Sequence, residues 1–86
     1  MRIVYHRSFL KSAGQLPKLQ QKKLAELLEI LRNNPYHPLL HTKRLGAELT
    51  GLFSFRITRD WRVIFQFLES ETIQLLRVAH RKDIYR

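Results

Sequence analysis

The chain has 86 residues, 44% of them hydrophobic and 27% charged, which is the composition of one small globular domain. It has no cysteine, which excludes disulfides and thiolate metal sites, and no apolar run approaches the roughly 20 residues of a membrane-spanning helix. Sixteen Lys and Arg against seven Asp and Glu give a net charge of +9, which predicts a polyanionic partner, RNA or DNA first, or an acidic protein.

The first residues predict a strand followed by a short helix. Arg2–Tyr5 reads RIVY, a short apolar segment typical of a strand. Ser8 stands at a plausible N-cap position for a helix that Gly14 can end. Pro17 then suits the first turn of a second helix.

The second helix has the clearest periodicity in the chain. Lysines and glutamates alternate with leucines that form one apolar stripe at helical spacing: Leu24, Leu27, Leu28 and Leu31. Asn34 and Pro35 end the helix. The stripe predicts a core face packed on a sheet, and the alternative is a helix that binds a partner groove or a membrane surface.

Residues 36–50 predict an irregular link. His37 and His41 lie four residues apart, a spacing that would suit a metal ion on a helix. Pro38 disfavours that helix, and no third ligand is in sight. We therefore predict no metal site and no cofactor.

The last third of the chain predicts three strands, at residues 52–58 (LFSFRIT), 61–67 (WRVIFQF) and 72–78 (TIQLLRV). Their connections are too short for parallel crossovers, so they predict an antiparallel meander. Asp60 is a suitable turn residue between the first two strands.

Alternation along the first two of these strands predicts two different sheet faces. We expect the helices to cover the aromatic face, which is made by Phe53, Phe55, Ile57, Trp61, Val63, Phe65 and Phe67. We expect the opposite face to be open and cationic, with Ser54, Arg56, Arg62 and Gln66 turned toward it. The sequence therefore predicts a single α+β domain over residues 1–86.

Several motifs in this third resemble one family. They are Gly51-Leu52-Phe53, Arg56, the aromatic-Arg-Val-Ile-aromatic run at residues 61–65, and the HRKDIY cluster at residues 80–85. Together with the order βααβββ, they resemble the RelE-like toxins of bacterial toxin–antitoxin pairs. The resemblance spans essentially the whole chain and implies two N-terminal helices packed on a small antiparallel sheet.

The family resemblance also implies a function. Many RelE-like toxins are endoribonucleases that cut messenger RNA, often on the ribosome, and each is silenced by a cognate antitoxin. Relatives of the ParE branch share the fold but inhibit DNA gyrase instead. The resemblance also implies a cytoplasmic protein with no membrane partner.

Arg62 is the strongest candidate site residue. An arginine between Trp61 and Val63 in the centre of a strand is awkward unless it faces a groove and meets an anion. It matches the family position where arginine stabilises the scissile phosphate. The alternative is a surface arginine whose aliphatic stem covers the sheet.

The resemblance implies roles for four further catalytic candidates: His80, Arg81, Tyr85 and Arg56. His80 is the natural proton-transfer group, since histidine titrates near neutral pH. Arg81 matches an arginine that stabilises charge or protonates the leaving group. Tyr85 matches a tyrosine that orients or stacks on the nucleotide, and Arg56 a phosphate contact or base. We assign RNA-backbone binding to Lys43, Arg44, Arg59 and Lys82.

Ser54 departs from the family pattern, since the best-known member has lysine there. No pair of carboxylates has the spacing of a magnesium site, which favours metal-free cleavage by attack of the 2′-hydroxyl. Three alternatives stay open at this point: a ParE-like gyrase inhibitor, a basic nucleic-acid-binding module without activity, and a degenerate toxin. The general base is also unassigned.

Overall fold

A computed structural model describes residues 1–84, which form two α-helices and five β-strands. The helices are α1 (Arg7–Gly14) and α2 (Lys18–Asn33). The strands are β1 (Arg2–Tyr5), β2 (Lys43–Arg44), β3 (Phe53–Arg56), β4 (Trp61–Glu69) and β5 (Thr72–His80). Short 3-10 turns lie at Pro38–Leu40, Ala47–Leu49 and Arg81–Asp83.

The strands form one sheet in the order β1-β5-β4-β3-β2. The β3–β4–β5 meander is antiparallel, as predicted. In contrast, β1 pairs in parallel with β5, placing Ile3 opposite Ile73, so the sheet is mixed rather than wholly antiparallel. The predicted α+β class and the order of the predicted elements are confirmed. The parallel pairing joins a strand at the start of the chain to one near its end. The pattern within either strand does not predict such a pairing.

Helix α1 begins two residues earlier than predicted. His6, not Ser8, is the N-cap, because the His6 Nδ1 accepts a hydrogen bond from the Ser8 amide at 3.0 Å. Farther along the helix, the Ser12 hydroxyl oxygen accepts the Val78 amide of β5 at 2.8 Å. This bond fixes α1 against the sheet.

The leucine stripe of α2 packs on the sheet, as predicted. Leu24, Leu27 and Leu31 are buried and Leu28 is half-buried. They join the aromatic face of the sheet in a helix-side core that includes Phe55, Ile57, Val63, Phe65, Ile73 and Leu75. Among residues 1–84, neither helix is long and apolar enough to cross a membrane.

The sheet face opposite the helices is partly covered, which corrects the expectation of an open face. A second cluster of buried residues lies there, made by Leu45, Ile64, Ala79 and Ile84. Ser54 is only 1% exposed, so it does not face solvent as expected. The predicted irregular link supplies part of this cover, because it contains β2 and leads to Leu45.

Candidate anion-binding cleft

Two arginines lie opposite each other on the face that carries the second cluster. The β3–β4 register pairs Arg56 with Arg62. The Nε atom of each is buried and has no hydrogen-bond partner among residues 1–84. Burial, followed by the positive charges of Arg56 and Arg81, lowers the pKa of the Arg62 guanidinium. Arg62 keeps its charge, because arginine stays protonated in proteins, so an anion bound here would offset an electrostatic cost.

Arg62 opens into a cleft of about 170 Å³ between the sheet and the C-terminal turn. Three cationic side chains converge on it, those of Lys43, Arg62 and Arg81. Leu45 and Ile84 form apolar walls, and the buried Ser54 also lines it. The cleft is smaller than the pockets that hold drug-sized ligands, and its volume suits a phosphate group and part of its sugar.

Two of the larger depressions lie along α2 and contain basic residues, but they do not have this chemistry. One of about 490 Å³ is lined by Leu19, Lys22 and Glu26, among others. The other, of about 350 Å³, holds Arg56 and Arg59 together with Glu26. Both contain a carboxylate, which opposes anion binding. The cleft lining contains three cations and no carboxylate, so we take it as the candidate site despite its smaller volume.

Arg81 is positioned by the turn between β3 and β4. The Arg81 amide donates to the Asp60 carbonyl at 2.8 Å, and the Arg81 Nε lies 3.4 Å from the Asp60 Oδ1. The next residues form the turn Arg81–Asp83, and Ile84 then inserts into the second cluster. Two contacts to one aspartate and one apolar anchor therefore hold Arg81 beside Arg62.

His80 lies apart from these cations. It pairs with Trp61 across β4 and β5, and the two rings meet edge to face with centroids 5.2 Å apart. Trp61 packs on the helix-side core, so the His80 ring lies toward that face rather than in the cleft. The His80 Nδ1 accepts the Lys82 amide at 3.2 Å and caps the terminal turn.

The predicted RNA-binding residues are spread around this region. Lys43 lines the cleft, whereas Arg44 lies over the Phe53 ring at 5.7 Å on the other face of the sheet. Arg59 and Lys82 are exposed in turns. Tyr85 lies outside the described residues, so its predicted role stays a prediction.

Some contributors to the cleft have no clear signal in the sequence. Asp60 is predicted only as a turn residue, and no role is predicted for Leu45 or Ile84. Leu45 and Ile84 meet in the second cluster, and Asp60 pairs with Arg81, in both cases between distant segments of the chain. Among residues 1–84, no group of three or more His, Asp or Glu side chains could hold a metal ion.

Comparisons with known proteins give one consistent answer. The family profile described as "ParE toxin of type II toxin-antitoxin system, parDE" matches residues 3–85. No match was found among curated proteins.

Solved structures share the fold over nearly the full length of both chains. A YoeB/ParE toxin from Agrobacterium tumefaciens is 18% identical with a TM-score of 0.80, covering 94% of this chain and 99% of that one. YafQ from E. coli is 24% identical with a TM-score of 0.75, covering 100% of both chains. A chain of the archaeal RelE–RelB complex from Pyrococcus horikoshii is 25% identical with a TM-score of 0.77, covering 95% of this chain and 96% of that one.

Proposed function

We propose that this chain, a member of the family of ParE toxins of type II toxin–antitoxin systems, cleaves messenger RNA. We further propose that it acts on the ribosome and that a cognate antitoxin neutralises it. The antitoxin proposal is supported by solved neighbours that are themselves complexes of a toxin with an antitoxin, such as RelE–RelB and YoeB–YefM.

The observation that carries the nuclease proposal is the buried Nε of Arg62, which lies beside two other arginines. Its Nε is buried without a partner in the described chain, and Arg56 and Arg81 are close enough to lower its pKa. An isolated basic residue on a surface would be solvated instead. A phosphate in the cleft would accept hydrogen bonds from Arg62 and Arg81 and would neutralise their mutual repulsion.

The proposed reaction is an internal transesterification that uses no metal ion. The 2′-hydroxyl oxygen forms a bond to the adjacent phosphorus while the bond from phosphorus to the 5′-oxygen breaks. The 2′-hydroxyl gives up its proton and the leaving 5′-oxygen takes one, so the products carry a 2′,3′-cyclic phosphate and a 5′-hydroxyl. Arg62 and Arg81 stabilise the extra negative charge on the pentavalent phosphorus, with Arg56 close by.

We assign proton transfer to His80, on the condition that its hydrogen bond with the Lys82 amide opens. The Nδ1 accepts the Lys82 amide, so it carries no proton while the cap is closed. The neutral ring then has its proton on Nε2, which can donate a hydrogen bond but cannot accept one. We infer that RNA binding opens the bond to the Lys82 amide and turns His80 toward the scissile bond.

The remaining cations are assigned to the RNA backbone. Lys43 lies at the cleft, Arg44 next to it on β2, and Arg59 and Lys82 are on turns at the same end of the sheet as Arg62. Contacts of this type position a strand without reading its sequence. Tyr85 keeps its proposed role of orienting or stacking on the nucleotide.

A second candidate function is inhibition of DNA gyrase without nuclease activity. The matching family profile is named for ParE, and the His80 ring lies against Trp61 rather than in the cleft. Gyrase binding would not need the cations of the cleft to converge on one phosphate. The convergence of Lys43, Arg62 and Arg81 on one cleft, with the Arg62 Nε buried and without a partner in the described chain, therefore favours the nuclease over this candidate.

One experiment separates the two functions. Wild-type protein, Arg62→Ala and the exposed control Arg7→Ala are expressed under tight control in bacteria, and messenger RNA 5′ ends are mapped. We expect growth arrest with new 5′ ends from wild type and Arg7→Ala, and neither from Arg62→Ala. Arrest without new ends, together with lost supercoiling by purified gyrase, would instead establish the gyrase inhibitor.

A further inference from the structure

A partly exposed aromatic surface lies on the helix side of the sheet, at the end farthest from Arg62. The Tyr36 ring is 62% exposed and stacks on Phe67, with centroids 6.3 Å apart and planes at 25°. Phe67 meets Phe53 edge to face at 5.2 Å, and the Arg44 guanidinium lies over Phe53 at 5.7 Å. We call these four residues the aromatic platform.

The backbone around Tyr36 holds its ring in place. The Asn34 Oδ1 accepts the Tyr36 amide at 3.0 Å, so the loop after α2 forms a tight turn. The Thr42 hydroxyl donates to the Pro35 carbonyl at 2.5 Å and ties that turn to the approach to β2. A ring ordered in advance loses little conformational freedom when a flat ligand stacks on it.

Strand β2 joins the aromatic platform to the cleft. Its two residues point to opposite faces of the sheet, since Lys43 pairs with Ser54 and Arg44 pairs with Phe53. Lys43 thus lines the cleft while Arg44 belongs to the platform. Because β2 is the edge strand, a polyanion can pass around it and contact both exposed cations in succession.

We propose that the aromatic platform stacks unpaired bases of a single-stranded RNA whose scissile phosphate lies in the cleft. Base stacking on exposed aromatic rings beside arginines is how many proteins hold single strands without reading sequence. Along β4, Arg62 and Phe67 are about 17 Å apart at the usual rise per residue, a span of several nucleotides. The inference rests on the proposed ribonuclease function, because it requires that the RNA strand cleaved in the cleft also contacts the platform.

The test uses RNA with 2′-O-methyl riboses, which keeps the bases and phosphates but lacks the attacking hydroxyl. Affinities are measured by fluorescence anisotropy for an octanucleotide and by chemical-shift titration for a dinucleotide. The variants are Tyr36→Ala, Tyr36→Phe and Arg62→Ala. Tyr5→Ala is the matched control, since Tyr5 is 44% exposed and stacks on Phe9 in the same way, away from β2.

We expect Tyr36→Ala to bind the octanucleotide about fivefold more weakly or worse, the low end of what one stacked base contributes. Tyr36→Phe and Tyr5→Ala should bind it as wild type does. The dinucleotide, which reaches only the cleft, should be insensitive to Tyr36 and sensitive to Arg62→Ala. The logarithm of the octanucleotide binding constant falls linearly with the logarithm of the salt concentration. In a fourth variant, Arg44→Ala, this slope should be shallower by about 0.7, because one phosphate contact is lost.

The outcomes separate this inference from the proposed function. If the octanucleotide binds through Arg62 but Tyr36→Ala behaves like Tyr5→Ala, the platform is overturned and the cleft stands. A Tyr36→Ala defect confined to an acidic partner protein would overturn it too, by showing a protein-binding surface. If wild type binds neither RNA, both the platform and the cleft are overturned as sites for a free single strand, and the mapping of messenger RNA 5′ ends decides the ribonuclease function separately.

Discussion

Arg56 and Arg62 lie directly opposite each other on neighbouring antiparallel strands, and the Nε of each is buried without a partner in the described chain. Like charges in directly opposed positions destabilise a sheet. Opposed like charges that lower the folding stability are typical of functional sites, where binding is favoured at the expense of stability.

Removing one of these charges should stabilise the unliganded protein. We expect Arg56→Gln to raise the free energy of unfolding by roughly 0.2–1 kcal/mol in anion-free buffer, the usual effect of a cross-strand pair. Added phosphate should raise the melting temperature less in this variant than in wild type, because the cation cluster is weaker. Denaturant unfolding with and without phosphate measures both effects.

The control for this prediction is Arg7→Gln, which removes an exposed charge at the start of α1. It should leave the phosphate response unchanged. A less stable Arg56→Gln protein with an undiminished phosphate response would contradict the anion-binding role of the pair.

Asp60 should act as a positioning residue through its ion pair with Arg81. Asp60→Asn removes the carboxylate, 3.4 Å from the Arg81 Nε, but leaves the carbonyl that accepts the Arg81 amide. The pair is exposed, so stability should change by about 1 kcal/mol or less. The rate of RNA cleavage should fall by about two- to fivefold, the equivalent of one exposed ion pair.

Single-turnover cleavage rates report an effect on the placement of Arg81, and melting curves report any loss of folding. Asp60→Glu keeps the charge and should recover part of the rate. Equal cleavage rates in wild type and Asp60→Asn at saturating RNA would show that the ion pair does not position Arg81.

The two roles of His80 can be separated by two substitutions. His80→Asn retains a side-chain acceptor for the Lys82 amide but cannot transfer protons, whereas His80→Ala loses both. We expect neither variant to cleave RNA, and the Asn variant to melt closer to wild type. Cleavage by His80→Asn near the wild-type rate would leave His80 as a cap of the terminal turn only.

Ile84 should hold the C-terminal turn over the cleft. It is buried in the second cluster with Leu45 and Ile64. We expect Ile84→Ala to cost about 2 kcal/mol of unfolding free energy, the low end for truncating a buried aliphatic side chain. Phosphate affinity should also fall, because Arg81 lies three residues before Ile84 and lines the same cleft.

Leu68→Ala is the matched control for Ile84→Ala, since Leu68 is 52% exposed and should cost less than 0.5 kcal/mol. Denaturant unfolding gives the stability change, and the phosphate-induced shift in melting temperature gives the binding change. If Ile84→Ala loses stability but keeps the wild-type phosphate shift, the turn does not shape the cleft.

The candidate site was only partly predictable from sequence. Alternation assigned Arg56 and Arg62 to one face correctly, because side chains in a strand point to opposite faces in turn. The same rule placed Ser54 on that face but could not show that it is buried. Leu45 and Ile84, which come from other segments of the chain, line the same cleft as Ser54.

The local pattern of the chain determined the order of the elements, the buried stripe of α2 and the two faces of the β3–β4 hairpin, since each depends on periodicity along one segment. Only the tertiary structure decided that β1 pairs in parallel with β5, that Asp60 holds Arg81, and that His80 lies against Trp61 rather than beside Arg62. These contacts join separate segments, so their free energy depends on how whole elements pack, which periodicity along a single segment does not encode.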